Sequence, residues 1–553
     1  MVSAGPNAPR PLTRSLLPLT VLVAVAAVGL DVVQWYGAAP LWVDEEMIAL
    51  NIRDRGFTEL PGRLWLGQGA PLGWLFLQRT VILSFGSSET SLRLIPLLFG
   101  VAGLAAAVWV GERWMKRPAA VLFVLLCAMG QWMSHYRFEL KHYSADALFA
   151  LLLPAMAARA VEEQDPERAR VRWTNWWIAA ALAQWFAFGA LLVTPACALL
   201  LTIVILTRHG ARAALHFATA GIVWGVSFAA HYVLSLQYTS NSAHLRTYWA
   251  DYVAPTGLGV TATIAWIAGQ LGELAKDPGG TSLTVALWVG ALCGLAVARR
   301  PVLAAMFASV PIMAFMLAAL RVVPVSGRLA LWIVPALYLG IALLFDAGVR
   351  GSVAAWRGRR WPLVAAGTIA LAGALYVAGN ILRRGGESLD LDVPRQSNRG
   401  VNDRQAAAWL MARYQRGDVI MSTRLGWPAI WWYGDLPIRR PRVFMRDGST
   451  MYEVSHERVR PGCRQRMREA LESYRRVVVH VGFPDMPEGF FELLLHELSF
   501  FGTVVEQGHF ADRSRTAVVE LHPARSTELT DPADPPENGL LAGCVEVHTA
   551  RRW

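Results

Sequence analysis

The chain has few charged residues and few cysteines for its length. Only 17% of its 553 residues are Asp, Glu, Lys or Arg, against about a quarter in ordinary soluble proteins. Lysine is nearly missing, with three in the whole chain, so arginine supplies almost all of the positive charge. The low charge and the 54% of hydrophobic residues exclude an ordinary soluble enzyme and a disordered protein. A membrane protein is the class that remains.

Long apolar runs indicate this class directly. A helix needs about 17 to 25 apolar residues to cross a bilayer. Eleven runs qualify, at 16–37, 91–112, 118–135, 142–161, 174–190, 192–207, 214–236, 282–298, 302–320, 329–346 and 362–382. Arg and Lys cluster in alternate connecting loops, which the positive-inside rule makes cytoplasmic. We therefore expect a multi-pass protein of the cell inner (plasma) membrane, with a cytoplasmic N-terminus and an extracytoplasmic C-terminus.

The net charge of +11 has the same explanation. Residues 383–553 hold 24 basic and 23 acidic residues, so +10 of the charge belongs to the membrane part. Basic residues that orient a membrane protein need no nucleic acid, and we predict no nucleic-acid partner. The first run begins like a signal peptide, but no small-residue cleavage site follows it, so we interpret it as an uncleaved anchor. A further apolar segment, 70–86, breaks the alternation and is interpreted as an interfacial helix within a long first external loop, 38–90.

Residues 383–553 have the composition of a soluble domain. Short apolar runs predict strands at Val419–Met421, Val477–Val481, Thr503–Glu506 and Ala517–Leu521. Helical patterns lie between some of them, at about 463–475 and 488–500, and Asn402 is a candidate cap for a helix that reaches Tyr414. The alternation predicts a small α/β domain on the extracytoplasmic side.

The five cysteines divide between the two parts of the chain. Cys127, Cys197 and Cys293 lie inside predicted spans, where small buried thiols are ordinary. Cys463 and Cys544 lie in the external part, so they are a candidate disulfide, with two free thiols as the alternative. The sequence has no metal-ligand spacing, glycine-rich phosphate loop or nucleophile elbow, and we predict no metal and no cofactor.

Three adjacent carboxylates, Asp44, Glu45 and Glu46, follow the first span on the external side. At a membrane boundary such a group is costly unless it is hydrated, paired or functional. Two interpretations remain open from these residues alone. One is a solvated loop or the acidic first turn of a helix that starts near Asp44, and the other is a catalytic carboxylate.

The predicted turn between the third and fourth spans is unusually rich in functional groups. The groups that we single out are Tyr136, Arg137, Lys141, His142 and Tyr143. Arg137 and Lys141 form a candidate phosphate clamp, because guanidinium and ammonium groups both bind phosphate. The alternative is a turn in which these cations pair with Glu139 or Asp146.

Two further arginines lie at the external ends of spans. Arg328 follows Ser326-Gly327 at the start of the tenth span, and Arg93 opens the second span. Each is a candidate phosphate ligand, and each also fits a side chain that reaches from the membrane to the interface. Asp31, near the outer end of the first span, is expected to be paired. The aromatic loop 237–281 fits either a cover for a site or an interfacial aromatic belt.

Together these motifs resemble the GT-C membrane glycosyltransferases. Within that class the likeness is to the dolichyl-phosphate-mannose protein mannosyltransferase-like group (glycosyltransferase family 39) and the lipid A aminoarabinose transferases. The features shared are Asp44-Glu45 at the start of a long loop, Phe85-Gly86 before Arg93, the turn 137–143 and Ser326-Gly327-Arg328. The chain departs from the pattern at Gln68-Gly69-Ala70-Pro71, where many members have His-Pro-Pro.

The resemblance implies both a fold and an activity. The expected fold is an all-α polytopic membrane bundle of the GT-C type with about 11 transmembrane helices in residues 1–382, followed by the extracytoplasmic α/β domain 383–553. The expected activity is inverting transfer of a sugar from a polyprenyl-phosphate donor, held in the membrane lipid, to a hydroxyl of a glycan, lipid or protein acceptor outside the cytoplasm.

The resemblance also assigns roles to residues. Asp44 is the expected general base and Glu45 the residue that orients the acceptor. Arg137, Lys141 and Arg328 are expected to neutralise the donor phosphate, with Arg93 in reserve. Possible substrate contacts are Glu46, Tyr136, His142 and Tyr143. A membrane transporter or lipid flippase of the cell envelope remains the alternative, and a non-catalytic assembly protein is a third possibility.

Overall fold

The structure is a computed structural model that describes residues 18–357, 361–435, 451–454, 463–483 and 489–522. The first seventeen helices are connected mainly by short turns. They are α1 Leu19–Tyr36, α2 Val43–Asp54, α3 Leu72–Phe85, α4 Glu89–Trp114, α5 Arg117–Met129, α6 Gln131–His135, α7 Tyr143–Glu162, α8 Pro166–Ala183, α9 Phe188–Ala220, α10 Ile222–His231, α11 Gln237–Ser240, α12 Ala243–Tyr248, α13 Val260–Lys276, α14 Thr284–Ala296, α15 Pro301–Ala319, α16 Val334–Arg357 and α17 Trp361–Glu387. A 3-10 turn, Gly327–Ile333, precedes α16.

Every predicted span overlaps a helix of the bundle. In the described part of the chain, seven helical stretches are long and apolar enough to cross a membrane, and one of them covers Phe188–Ser240. The backbone leaves the helical region inside that stretch at Gly210, with φ 80°, between two of the predicted spans. The predicted spans at 118–135 and 282–298 correspond to the shorter apolar helices α5 and α14. The total of eleven spans and the orientation of the termini therefore stay predictions.

The predicted interfacial segment is also helical. It forms α3, which begins after Pro71 and ends at Gly86, where φ is 82°. The acidic motif forms the first turn of α2, as one of the two interpretations expected. Carboxylates there are favoured by the positive end of the helix dipole. Both helices lie in the segment that connects α1 to α4, so the first loop is folded into a compact layer.

The C-terminal α/β unit contains the five strands that the structure describes, between residues 403 and 522. Its elements are α18 Asp403–Arg413, β1 Val419–Thr423, α19 Trp427–Tyr433, β2 Met451–Val454, α20 Cys463–Leu471, β3 Arg476–Val481, α21 Phe490–Ser499, β4 Gly502–Phe510 and β5 Ser514–Leu521. The sheet has the order β2-β1-β3-β5-β4, with parallel pairs among the first three strands and antiparallel pairs at β5. The four strands, three helices and cap at Asn402 expected from the sequence are confirmed, while β2 and α19 were missed.

This unit packs directly on the first loop. Ile48, Leu50 and Trp74 from the loop share one hydrophobic core with Ile430 and Trp431 of α19. Polar contacts reinforce the packing, because Arg53 at the end of α2 donates to the carbonyls of Trp431 and Trp432 at 3.1 and 3.2 Å. The C-terminal unit is therefore held against the helix that carries the acidic motif.

Candidate active site

The three carboxylates of the acidic motif point to three different environments. Successive residues of an α-helix are about 100° apart around its axis, so the first turn of α2 spreads them. The side chain of Asp44 is 23% exposed, whereas those of Glu45 and Glu46 are fully buried. Only Asp44 of the three is thus open to a ligand.

Asp44 is in direct contact with Arg328. A guanidinium nitrogen of Arg328 donates a hydrogen bond to Oδ2 of Asp44, across 284 residues of sequence. Arg328 lies in the 3-10 turn before α16, directly after Gly327, whose φ is 40°. The two residues come from the first loop and the late span that the sequence singled out, and the fold brings them together.

Glu139 continues this line of charges on the far side of Arg328. Its Oε1 lies 3.8 Å from Arg328, and its Oε2 lies 3.0 Å from Arg399. Oε1 is buried and has no hydrogen-bond partner among the described residues. Asp44, Arg328, Glu139 and Arg399 therefore form a row of alternating charge.

Lys141 is a third cation in this region, besides Arg328 and Arg399. Its ammonium group is buried and donates to Oε1 of Gln68 at 2.7 Å. Burial lowers the pKa of Lys141, while the negative charge of Asp44 opposes that effect. Gln68 lies where the related pattern has a histidine, so this chain uses an amide to hold the lysine near the carboxylate.

Both carboxylate oxygens of Glu45 accept hydrogen bonds from other parts of the site. Its two oxygens accept hydrogen bonds from Nε and Nη2 of Arg93, at 2.9 and 2.7 Å. They also accept from the backbone N–H groups of Trp42 and Leu140, at 2.8 and 2.7 Å. This carboxylate joins the start of α2 to α4 and to the turn before α7, which is the geometry of a positioning residue.

Arg93 is equally occupied and is 4% exposed. Besides Glu45, its guanidinium donates to the carbonyls of Ala39 and Pro40. The sequence left two roles open for Arg93, a phosphate ligand or an interfacial side chain. The observed contacts fit neither role. Arg93 anchors the chain between α1 and α2 instead.

Arg137 lies outside the row of charges. Its Nη1 donates to both oxygens of Asp31, at 2.8 and 2.6 Å, and its Nη2 donates to the carbonyls of Cys127 and Ala128. Arg137 is therefore paired, but its partner is Asp31 of α1, so the expected alternative of a turn in which Arg137 pairs with Glu139 or Asp146 is wrong for this residue. Asp31 is paired, as expected.

Glu46 is directed away from the cluster. It is fully buried, and neither carboxylate oxygen has a hydrogen-bond partner among the described residues. Burial and the nearby carboxylates of Asp403 and Glu45 raise its pKa well above its usual value. The structure thus places Glu46 near Asp403 of the C-terminal unit, and its expected substrate contact stays a prediction.

The aromatic candidates are buried beside the cluster. Tyr136 and Tyr143 are buried and pack edge to face with ring centres 5.1 Å apart. His142 packs on Phe188, and its Nε2 lies 3.5 Å from Asp146. The substrate contacts expected of the two tyrosines and of His142 stay predictions.

Three residues of the site were missed by the sequence analysis. Asn398 donates to the carbonyl of Pro40 at 3.0 Å and to Glu45 at 3.3 Å. Arg399 contacts Glu139, and Asp277 lies against Gly327 and interacts with Arg399 and Arg328. Each comes from a polar loop in which no motif marks it. Asp277 ends the long loop that was a candidate cover for the site.

The charges of the cluster shift the ionisation of its acids. Burial raises the pKa of Asp277 to about 6, although Arg399 and Arg328 oppose it. Burial also disfavours the charged form of Glu139, but the hydrogen bond with His135 and the charges of Arg399 and Arg328 outweigh it and hold its pKa below the usual value. The row therefore keeps Glu139 ionised at neutral pH.

The described residues also bear on the predictions about metals and cysteines. Among the described residues, no group of three or more His, Cys, Asp and Glu side chains is arranged to hold a metal ion. Cys127, Cys197 and Cys293 are free thiols in the helices. The candidate disulfide stays a prediction, because Cys544 and the side chain of Cys463 lie outside the described part of the chain.

No family model and no curated protein sequence matches the chain. Solved structures do match it. ArnT from Cupriavidus metallidurans bound to undecaprenyl phosphate covers 91% of this chain and 97% of its own, with a TM-score of 0.51 and 13% identity. Its apo state gives a TM-score of 0.49 at 14% identity, with the same coverage. ArnT is an aminoarabinose transferase of the GT-C class. The chain shares the GT-C fold with this transferase, as its motifs led us to expect.

Proposed function

We propose that the protein is an inverting membrane glycosyltransferase that moves a sugar from a polyprenyl-phosphate donor to a hydroxyl acceptor on the extracytoplasmic face. The fold shared with ArnT, which was solved with undecaprenyl phosphate, supports a lipid phosphate as ligand. The helices long and apolar enough to span a membrane supply a place for a prenyl chain. The acceptor class and the sugar are left open.

The contact between Asp44 and Arg328 carries this proposal. A partly exposed carboxylate and a partly exposed guanidinium, with side-chain exposures of 23% and 21%, meet at one end of the bundle. A transferase that uses a phosphate leaving group needs both a base for the acceptor and a cation for the leaving group. The pair provides the two in one place.

In the proposed reaction Asp44 accepts the proton of the acceptor hydroxyl. The hydroxyl oxygen forms a bond to the anomeric carbon of the donor while the bond from that carbon to the phosphate oxygen breaks. The bonding electron pair leaves with the phosphate, so the lipid phosphate gains one negative charge. Displacement from the opposite face in one step inverts the anomeric configuration.

Arg328 and Lys141 are proposed to stabilise that developing charge. Cations fixed in a site poor in water stabilise a leaving phosphate far more than they would in bulk solvent. Arg328 is paired with Asp44, and an incoming phosphate competes with Asp44 for the same guanidinium. Donor binding thus releases the carboxylate that has to act as base.

Glu45 and Arg93 are assigned a positioning role in this proposal. They fix the first turn of α2 through a buried ion pair, which sets where Asp44 points. Arg137 is assigned a structural role with Asp31 in place of the clamp expected from the sequence. The proposed phosphate ligands are therefore Arg328 and Lys141, which come from separate elements.

The test is sugar transfer by the purified full-length protein with a panel of polyprenyl-phosphate sugars and acceptors. Asp44→Asn should lower the rate by about 10²- to 10⁴-fold, with lipid-phosphate binding retained. The matched control is Asp54→Asn, which changes a carboxylate at the other end of α2 that pairs with Arg53. Full activity of Asp44→Asn would refute the assignment of the base, and movement of lipid across vesicles without transfer would favour the flippase alternative.

A further inference from the structure

We propose that Arg399, presented by the segment that leads into the C-terminal unit, is a ligand of the donor phosphate. This inference rests on the proposed function and adds a residue from a third region of the chain to its phosphate site. It also gives the C-terminal unit a part in substrate binding, since that unit holds the segment in place.

The backbone around Arg399 is unusual. Asn398 and Val401 exchange two hydrogen bonds, at 2.9 and 3.0 Å, and the residues between them, Arg399 and Gly400, have φ of 54° and 78°. Positive φ at both central positions is the signature of a type I′ turn, which favours Asn and Gly. Arginine at the first of these positions is strained, and such strain collects at functional sites.

The turn is fixed at both sides. The Asn398 side chain donates to the carbonyl of Pro40 and to Glu45, beside the start of α2. On the other side the carbonyl of Gly400 accepts a hydrogen bond from the backbone of Arg513, in the turn between β4 and β5, at 3.0 Å. The membrane part and the C-terminal unit together therefore hold the tip of the turn at the row of charges.

The side chain of Arg399 is placed for a ligand. Its guanidinium carbon lies 4.8 Å from the ring centre of Trp42, and its Nη2 contacts Glu139 at 3.0 Å and His135 at 2.8 Å. Among the described residues, these polar contacts all use Nη2, which leaves the N–H groups of Nε and Nη1 for another acceptor. The side chain is 32% exposed, in contrast to the buried Arg93 and Arg137.

Electrostatics indicates why a second arginine is needed. A phosphate bound at Arg328 lies close to Glu139, whose carboxylate is 3.8 Å from that guanidinium. Two negative groups that share one guanidinium repel each other unless a further cation compensates one of them. Arg399 pairs with Glu139 from the other side, so it can neutralise Glu139 and donate to the phosphate at once.

The test measures binding of undecaprenyl phosphate to the detergent-solubilised full-length protein. Arg399→Gly should weaken binding by about tenfold or more, because a charge-assisted contact is lost. Glycine adopts positive φ without strain, but the buried Glu139 loses the charge of Arg399, so the thermal midpoint should fall and binding is measured on the folded fraction. Arg399→Lys keeps the charge but not the planar donor group, so its affinity should lie between those of the wild type and Arg399→Gly.

The matched control is Arg413→Gln, compared with Arg399→Gln. Arg413 is also 32% exposed, pairs with Glu506 and lies over a tryptophan ring, but on the outer face of the C-terminal unit. Arg413→Gln should bind undecaprenyl phosphate with wild-type affinity. Wild-type affinity in Arg399→Gly together with loss of affinity in Arg328→Gln would overturn this inference and leave the proposed function intact. Wild-type affinity in both variants would overturn the phosphate site itself.

Discussion

Replacing Arg93 by methionine tests whether the buried ion pair with Glu45 holds the site together. Methionine keeps an unbranched apolar chain in α4 and is a good helix former. The change removes the two charged hydrogen bonds from Arg93 to Glu45 and the two donations to the carbonyls of Ala39 and Pro40. Glu45 is then left as a buried charge without a cation.

The cost follows from what remains around Glu45. Removing one partner of a buried ion pair costs about 3–5 kcal/mol. Glu45 still accepts from the backbone of Trp42 and Leu140 and from Asn398, so the loss should lie near the lower end, at about 3 kcal/mol. The double variant Glu45→Gln, Arg93→Met removes the unpaired charge and should cost less than the sum of the two single changes.

The assay is thermal unfolding in detergent, followed by the fluorescence of the 23 tryptophans. The control is Arg79→Met. Arg79 donates to the carbonyls of Ile52 and Arg53, so its loss leaves no buried carboxylate unpaired and should cost less, at about 1.5 kcal/mol. A thermal midpoint of Arg93→Met no lower than that of Arg79→Met, or strict additivity in the double variant, would refute the argument.

Three further predictions concern charge. Because the pKa of Asp277 is about 6 and its protonated form does not repel a phosphate, the donor KM should fall as the pH drops from about 7.5 to about 5.5. Asp277→Asn should abolish that dependence, and an unchanged pH profile in the variant would contradict it. The raised pKa of Glu46 means that the folded protein retains a proton that the unfolded chain releases, so the thermal midpoint should decline with rising pH and Glu46→Gln should flatten that decline. Parallel curves for the two proteins would count against this assignment. Arg137→Met should lower the thermal midpoint by leaving Asp31 unpaired, while the folded fraction binds undecaprenyl phosphate normally. Loss of binding at an unchanged midpoint would return Arg137 to the phosphate site.

The helices and strands were largely predictable because their signals are local. Apolar runs of span length and strand-length runs in the tail depend on neighbouring residues alone. The helices that were missed lack a long uniform run. α13 mixes polar and apolar residues, and α19, Trp427–Tyr433, is apolar but has only 7 residues and is buried by packing on both α2 and α18.

The candidate site was half predictable. Asp44, Lys141 and Arg328 were found because charged residues at the ends of apolar segments are conspicuous. The same rule selected Arg93 and Arg137, which are equally conspicuous but form ion pairs with Glu45 and Asp31. Arg399 and Asp277 were missed because charged residues in polar loops are common and carry no such signal.

The sequence by itself determined the membrane class, the order of the helices and the chemical types of group available at their ends. Those properties follow from hydrophobic burial and from the cost of charge in an apolar medium, both of which act along a short stretch of chain. The tertiary structure decided which cation each carboxylate meets. Electrostatic pairing acts over a few ångströms in space, and Asp44 and Arg328 are 284 residues apart in the chain. Only folding could show that Arg328 faces the candidate base while Arg93 and Arg137 support the scaffold.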